Sequence, residues 1–299
     1  MRLKRRRKAV TLLITLSVIA VMIGLLGILY GYLDEARKKA NDQSVLIQGT
    51  LVRSDLQKLL AKYLSDKPSL KTLQTIQNTP LPIYDVSGNF GITLQCNLLN
   101  DRIPLAWLRA PDKSPDAKKR HNLAMDLAEK LTERAQLRDP ERLIEMIQEA
   151  LSGKRRRMGN LTWLQDKAGA IEKSTFEALL REYRFESDDP NVDRIDWQRY
   201  FLLRPLPSSL EKLNKQFLTP ELVSTLYDQD LQSVKENYTP GALDEFLSSI
   251  GEDERYTWLY AKSPIAALHC EGNLNFREAG YNIAFDYLQK RIEHFEIRR

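Results

Sequence analysis

The chain has 299 residues, 42% hydrophobic and 28% charged, enough for one large or two small folded domains. Its formal charge of +5 does not mark a nucleic-acid binder, because six of the 45 Lys and Arg lie in the first eight residues, leaving 39 against 40 Asp and Glu in the remainder. A nucleic-acid-binding domain carries its basic surface on the folded part, and the one basic run there, Lys154-Arg155-Arg156-Arg157, reads as a solvated helix end or loop.

In chain order, the first element is the stretch from Ala9 to Tyr32, which has no charge and no proline and follows Arg2, Lys4, Arg5, Arg6, Arg7 and Lys8. An apolar run of this length spans a bilayer core as a helix, the one simple structure that satisfies its own backbone in hydrocarbon. Clustered cations beside a membrane segment stay cytoplasmic, so the bulk of the chain is expected outside the cytoplasm. A cleaved secretory signal is the rival reading, but its apolar region runs only about 7–15 residues, and here the chain continues into helix-forming Asp34, Glu35, Ala36, Arg37, Lys38 and Lys39.

Beyond the membrane segment, Ile47, Leu51, Val52, Leu56, Leu59, Leu60 and Tyr63 recur at helical spacing. With no proline before Pro68, the two halves read as one rod of about 55 residues, roughly 80 Å long, ending at Ser65-Asp66-Lys67. Pro82 to Val86 and Gly91 to Cys96 flank Ser87-Gly88-Asn89 and read as a hairpin, with Ile92, Leu94 and Cys96 on one face. From Lys113 to Lys262 the period becomes helical. Leu123, Leu127 and Leu131, then Leu143, Ile147 and Leu151, keep it, and shorter helices are expected at Ser174 to Tyr183, Asp196 to Leu203, Thr219 to Leu226 and Pro240 to Ser249. Thr219-Pro220 and Thr239-Pro240 both look like a capping threonine before a first-turn proline. Strand signals return at Ile265 to Phe276, at Tyr281 to Tyr287 and at Ile292 to Ile297.

These elements predict an α+β fold in which a long N-terminal helix packs on an antiparallel sheet, with a large all-helical domain inserted between the two strand groups. The expected division is a basic cytoplasmic leader (1–9), the transmembrane and amphipathic helix (10–67), the first part of the α+β domain (68–110), the helical insertion (111–262) and the closing strands (263–299). Cys96 and Cys270 fall on either side of the insertion. A disulfide between them would staple the sheet across it, and two buried reduced cysteines are the other reading.

Chemistry is scarce. His121, His269 and His294 fall in different elements without metal-ligand spacing, and there is no G-x-S-x-G, Walker A or G-x-G-x-x-G motif. Ser152-Gly153 reads as a helix end with its glycine. The acidic cluster at Asp188, Asp189, Asn191 and Asp193 alternates like the start of a calcium loop, but lacks the glycine and distal glutamate of an EF-hand. A loop capping a helix at Asp196 accounts for the same residues, and Asp253 and Glu254 are a weaker calcium candidate. No resident cofactor and no catalysis are expected, with a membrane-anchored hydrolase as the disfavoured alternative.

Lys8-Ala9-Val10-Thr11-Leu12-Leu13-Ile14-Thr15-Leu16 resembles the amino-terminal signature of type IV pilin-like proteins, a basic leader ending at a small residue before a helix. The resemblance implies that a prepilin peptidase cuts after Ala9, where glycine is usual, and that Val10 becomes the methylated first residue. Ile14 would then occupy the fifth mature position, where most of the family has glutamate. A subunit with no predecessor in the filament has no neighbouring amino terminus to neutralise, and an unpaired carboxylate in lipid is costly. Together with the insertion and the length, this resembles the K-type minor pseudopilins of the type II secretion system. The resemblance implies a filament-tip subunit in the inner membrane with its bulk in the periplasm. Its expected partners are other minor pseudopilins, inner-membrane secretion components, the peptidase and lipid, but not nucleic acid. Some members of that family bind calcium. The alternatives are a type IV pilus minor pilin and a bitopic protein binding envelope components.

Overall fold

The structure is a computed structural model and describes residues 2–64, 68–84, 90–111, 113–153, 171–204, 206–207, 210–252, 255–276 and 279–298. It begins with one unbroken helix, α1 (Arg2–Tyr63), of 62 residues, about 90 Å long at 1.5 Å per residue. The expected stop at Ser65-Asp66-Lys67 and the hairpin turn at Ser87-Gly88-Asn89 lie outside the described residues. Helix α2 (Leu70–Asn78) starts where the Ser69 side chain accepts from the Thr72 amide, satisfying one of the free donors of the first turn.

Strands β1 (Leu81–Tyr84) and β2 (Phe90–Leu98) form the predicted antiparallel hairpin. The chain then leaves the sheet through the two-residue β3 (Ile103–Pro104) into α3 (Pro115–Arg134), α4 (Pro140–Leu151), α5 (Lys173–Ser187) and α6 (Trp197–Tyr200). After β4 (Phe201–Leu202) come α7 (Pro220–Leu226), α8 (Leu231–Asn237) and α9 (Leu243–Ser249). It returns as β5 (Ala267–Phe276), β6 (Ala279–Leu288) and β7 (Arg291–Arg298). The five long strands form one sheet in the order β1-β2-β5-β6-β7 with every pairing antiparallel. The insertion therefore opens between two adjacent strands, β2 and β5.

Two departures from the sequence expectation concern the inserted block. It is not all-helical, since β4 lies within it and pairs in parallel with β3. Its core also begins ahead of residue 111, at Ile103, Leu105, Trp107 and Leu108, which pack with Leu127, Ile147, Phe176 and Trp197. A third concerns capping. Thr219 accepts from the Leu222 amide ahead of Pro220 as predicted, whereas Thr239-Pro240 sits in a turn and α9 starts only at Leu243. Gly241, at φ +105°, takes a backbone conformation closed to helices and ends any helix nucleated at Pro240.

The second core joins α1 and α2 to one face of the sheet. Leu56, Leu60, Leu64, Leu73 and Ile76 meet Ile92, Leu94, Leu98, Leu274, Ile283 and Phe285, the alternate residues of each strand. Gly49 is buried where α1 crosses β7, and a Cβ there would stand 2.7 Å from Ile297 Cδ1, so the close approach depends on its missing side chain. One turn on, Arg53 Nη2 donates to the Ile292 carbonyl at 2.6 Å and the Ile292 amide donates to Gln57 Oε1 at 3.3 Å. These two side chains occupy backbone groups that a free sheet edge would offer to another strand.

A third, smaller cluster seams the insertion to the sheet. Leu202 and Leu210 pack on Leu99, Ala267 and Leu288. Asn100 donates to the Leu210 and Lys212 carbonyls. Asn214 donates from its backbone amide to Asn100 O at 2.8 Å, and its side-chain amide both donates to Ile265 O at 2.9 Å and accepts from Ile265 N at 2.8 Å. Asn214 is fully buried, so Asn214→Ala strands both Ile265 backbone groups. Urea denaturation is expected to register a loss of about 1–3 kcal/mol, and a loss below ~0.5 kcal/mol would show that water replaces the amide without penalty.

Candidate assembly and anchoring surfaces

The candidate surface is α1 itself, because its composition changes along its length and its faces differ. The segment Val18–Ala40, with mean hydropathy 1.7, is the one described helix stretch long and apolar enough to cross a membrane, and none of it is buried in the protein. Leu16, Ile19, Ile23, Leu26, Ile28 and Leu33 are all exposed, as an anchor requires. At its carboxyl-terminal end, Lys38 pairs with Asp34 and Lys39 with Glu35 one helical turn apart, a water-facing pattern. The backbone at Ala9, Val10 and Ile14 is helical and continuous with the anchor, while their side chains lie outside the described residues.

In the amphipathic half the predicted apolar stripe divides in two. Val52, Leu56 and Leu60, with Leu64, turn to the sheet. Leu51 and Tyr63 instead face outward, 63% and 64% exposed, with half-buried Leu59 between them. Leu51, Leu59 and Tyr63 share one i, i+4 row of α1, which Asp55 interrupts, and large exposed side chains of this kind on a helix mark a contact surface. Lys58 and Lys62 stand beside this row, with Lys58 and Asp55 3.6 Å apart.

Cys96 and Cys270 are direct register partners in β2 and β5, their Cα atoms 4.0 Å apart, and are joined by a disulfide. Both are fully buried in the sheet core, 174 residues apart in sequence, so the bond closes the base of the insertion.

The candidate calcium residues do not converge. Asp189 is fully buried and spends its two carboxylate oxygens on the Arg138 and Asn191 amides, at 2.7 and 3.0 Å. Asn191 donates to the Gln136 carbonyl, Asp193 pairs with Arg184, and the Asp188 carboxylate points into solvent. The cluster caps the turn Pro190–Arg194 through Asp189, whereas Asp196 makes no cap to α6. Among the described residues no group of three or more His, Cys, Asp or Glu is arranged to hold a metal ion. Lys154 to Arg157, Asp253 and Glu254 lie outside the described residues, and Gly153, at φ +68°, ends α4 as expected.

One polar network was not legible in the sequence. On the opposite sheet face from α1, beside the seam, His269 Nδ1 lies 2.7 Å from Asp286 Oδ1 and its Nε2 lies 2.9 Å from Glu271 Oε1. Arg204, two residues past β4, donates from Nη1 to Asp286 at 2.8 Å and sits 2.9 Å from His269 Nδ1. A His–Asp pair can orient a general base, but the nitrogen that would activate a nucleophile is held by Glu271. His121 Nδ1 is 3.0 Å from the Trp107 carbonyl, and His294 is exposed on β7.

No protein-family model and no curated protein matches the chain. Among solved structures it is similar to a chain of the GspK-GspI-GspJ complex from the type 2 secretion system of enterotoxigenic Escherichia coli. That similarity has a TM-score of 0.53 and 14% identity, and covers 88% of this chain and 97% of that one. At this identity the likeness is one of fold. It extends across nearly the whole of both chains, the inserted block included.

Proposed function

We propose that this chain is a minor pseudopilin of a type II secretion system, of the K type, held in the inner membrane by α1 with its folded part in the periplasm. One observation carries the reading: a long half-apolar helix on an antiparallel sheet, with a largely helical block inserted between β2 and β5, shares its fold over 88% of its length with a chain of the GspK-GspI-GspJ complex of a type 2 secretion system. The leader ending at Ala9-Val10 supports it from the other end of the chain. The role is structural. The amphipathic half of α1 and the faces of the head contact other minor pseudopilins of the I and J types, and Ile14, with no carboxylate to offer a predecessor, suits a subunit that begins the filament at its tip.

Intact-mass measurement of the membrane-extracted protein tests this. The expected result is a chain lacking residues 1–9 and carrying one added methyl group on Val10. Ala9→Lys is expected to abolish the cut. A full-length chain from cells with active prepilin peptidase overturns the reading in favour of an unprocessed bitopic protein.

A further inference from the structure

The sheet face opposite α1 carries the polar network beside the seam at one end, and past that network its side chains are exposed out to the far ends of the strands. Register fixes what stands there. Tyr84 of β1, Gly91 of β2, Asn275 of β5 and Gly280 of β6 form one row, and Pro82, Thr93, Asn273 and Asn282 form the next. Gln95, Glu271 and Ala284 make a third, and Asn97 stands beside His269 at the edge of the network. Although 28% of the chain is charged, the first two rows hold no charge across four strands, and Arg298 on β7 is the first they meet.

Folding alone does not call for these residues. Asparagine and glycine are poor strand formers, and an exposed strand position accepts threonine or another β-former at no cost. Asn97, Asn273, Asn275 and Asn282 are nevertheless exposed on paired strands, and their side-chain amides have no partner among the described residues. Among those residues a Cβ at Gly280 would meet Asn275 Oδ1 alone, at 3.7 Å, so packing does not demand the glycine, which leaves the floor of the face low. Tyr84 is 72% exposed yet held in place: a Cβ at Gly91 would stand 3.0 Å from its Cδ1 and 3.3 Å from its Cε1. The ring therefore lies over Gly91 and turns its other side to solvent.

A fixed aromatic plate, unpaired amides and an uncharged floor suit one kind of ligand. Each asparagine side chain offers two donors and an acceptor, and a sugar hydroxyl both donates and accepts. The weakly positive C–H bonds of a pyranose face match the negative face of an aromatic ring. We propose that this face binds an uncharged glycan strand bearing acetamido groups, with one sugar stacked on Tyr84 and its neighbours hydrogen-bonded by Asn275, Asn273 and Asn282. Strands stand about 4.8 Å apart, so the row from Tyr84 to Gly280 is roughly 14 Å long, a length for an oligosaccharide rather than a single sugar. Other occupants lack their contacts here. A nucleic acid needs cations, which the two rows do not hold before Arg298. An added peptide strand pairs with a sheet edge and not with its face. The apolar core of a protein interface would find Tyr84 alone.

The test is calorimetric titration of the full chain, in micelles of a detergent without a sugar headgroup, with chitotetraose, a chain of four N-acetylated sugars. Cellotetraose, which lacks the acetamido groups, is titrated alongside. Saturable binding is expected with chitotetraose and about tenfold weaker binding with cellotetraose. Tyr84→Ala is expected to lower the affinity about tenfold, and Tyr84→Phe to leave it unchanged, because the ring and not the hydroxyl is the platform. Asn273→Ala and Asn282→Ala are each expected to lower it several-fold, and Asn97→Ala, outside the two rows, to change nothing. Asn273 and Asn282 are exposed, so those variants keep the fold if Tyr84→Ala loosens β1. The binding needs only the folded head and is read whether or not the chain is cut after Ala9. Chitotetraose that does not saturate, or that binds Asn273→Ala and Asn282→Ala as tightly as the unmodified chain, overturns the glycan site, and equal affinity for cellotetraose overturns the acetamido assignment.

Discussion

Replacing Cys96 and Cys270 together by Ala and Val, which leaves an apolar pair in the sheet core, is expected to lower the unfolding free energy by about 5 kcal/mol in the chain-entropy model. The size follows from the sequence separation of 174 residues, because the bond denies the unfolded chain every conformation in which β2 and β5 drift apart. A typical domain has about 5–15 kcal/mol in all, so the variant sits near the edge of folding at 37 °C. The loss is also local in origin. The inserted block has its own core, and the staple lies in the other one, between adjacent strands. Tryptophan fluorescence of the variant is expected to keep the block's transition, since Trp107 and Trp197 both lie in the block's core, while far-ultraviolet circular dichroism registers the sheet melting earlier. Adding reductant to the unmodified protein should reproduce the variant. A change below ~1 kcal/mol would show that the unfolded chain is restrained by other means.

That pairing was open to sequence reasoning because alternation put Cys96 on the core face and the strand groups bracketed the helical run. The main elements were legible for the same reason. A charge-free run before an amphipathic one gives a long helix, and strict alternation at Tyr281, Ile283, Phe285 and Tyr287 gives a strand buried on one face. What escaped is either short or defined from a distance. Helix α8 buries Val234 alone, so it shows no period. The β3–β4 pair is two residues long and joins positions nearly a hundred apart, such as Ile103 and Phe201. The Arg204–His269–Asp286–Glu271 network draws on three separate segments, and each member taken singly reads as an ordinary exposed polar residue of a loop or strand. Periodicity also marked the apolar positions of α1 without saying that they belong to two faces.

Leu60→Ala and Leu51→Arg separate those two faces, and with them folding from assembly. Leu60 is fully buried between α1 and the sheet, so truncation removes its transfer free energy and leaves a cavity beneath Leu56 and Leu64. The expected loss is about 2–5 kcal/mol, read as an earlier denaturation midpoint at unchanged slope. Leu51 is 63% exposed on the same helix, and a charged residue there disturbs no described contact. Its effect on stability should stay within ~0.5 kcal/mol. Under the pseudopilin reading the order reverses in the membrane. Leu51 lies on the outward row with Leu59 and Tyr63, where a long charged side chain against a partner's apolar surface costs desolvation and steric fit. Leu51→Arg is therefore expected to fold normally yet lose at least tenfold in co-purification with the other minor pseudopilins, whereas Leu60→Ala loses recovery only in proportion to the folded protein. Equal recovery of Leu51→Arg and the unmodified chain would place the contacts on the head, and would leave the exposed face of α1 as an anchor stem alone.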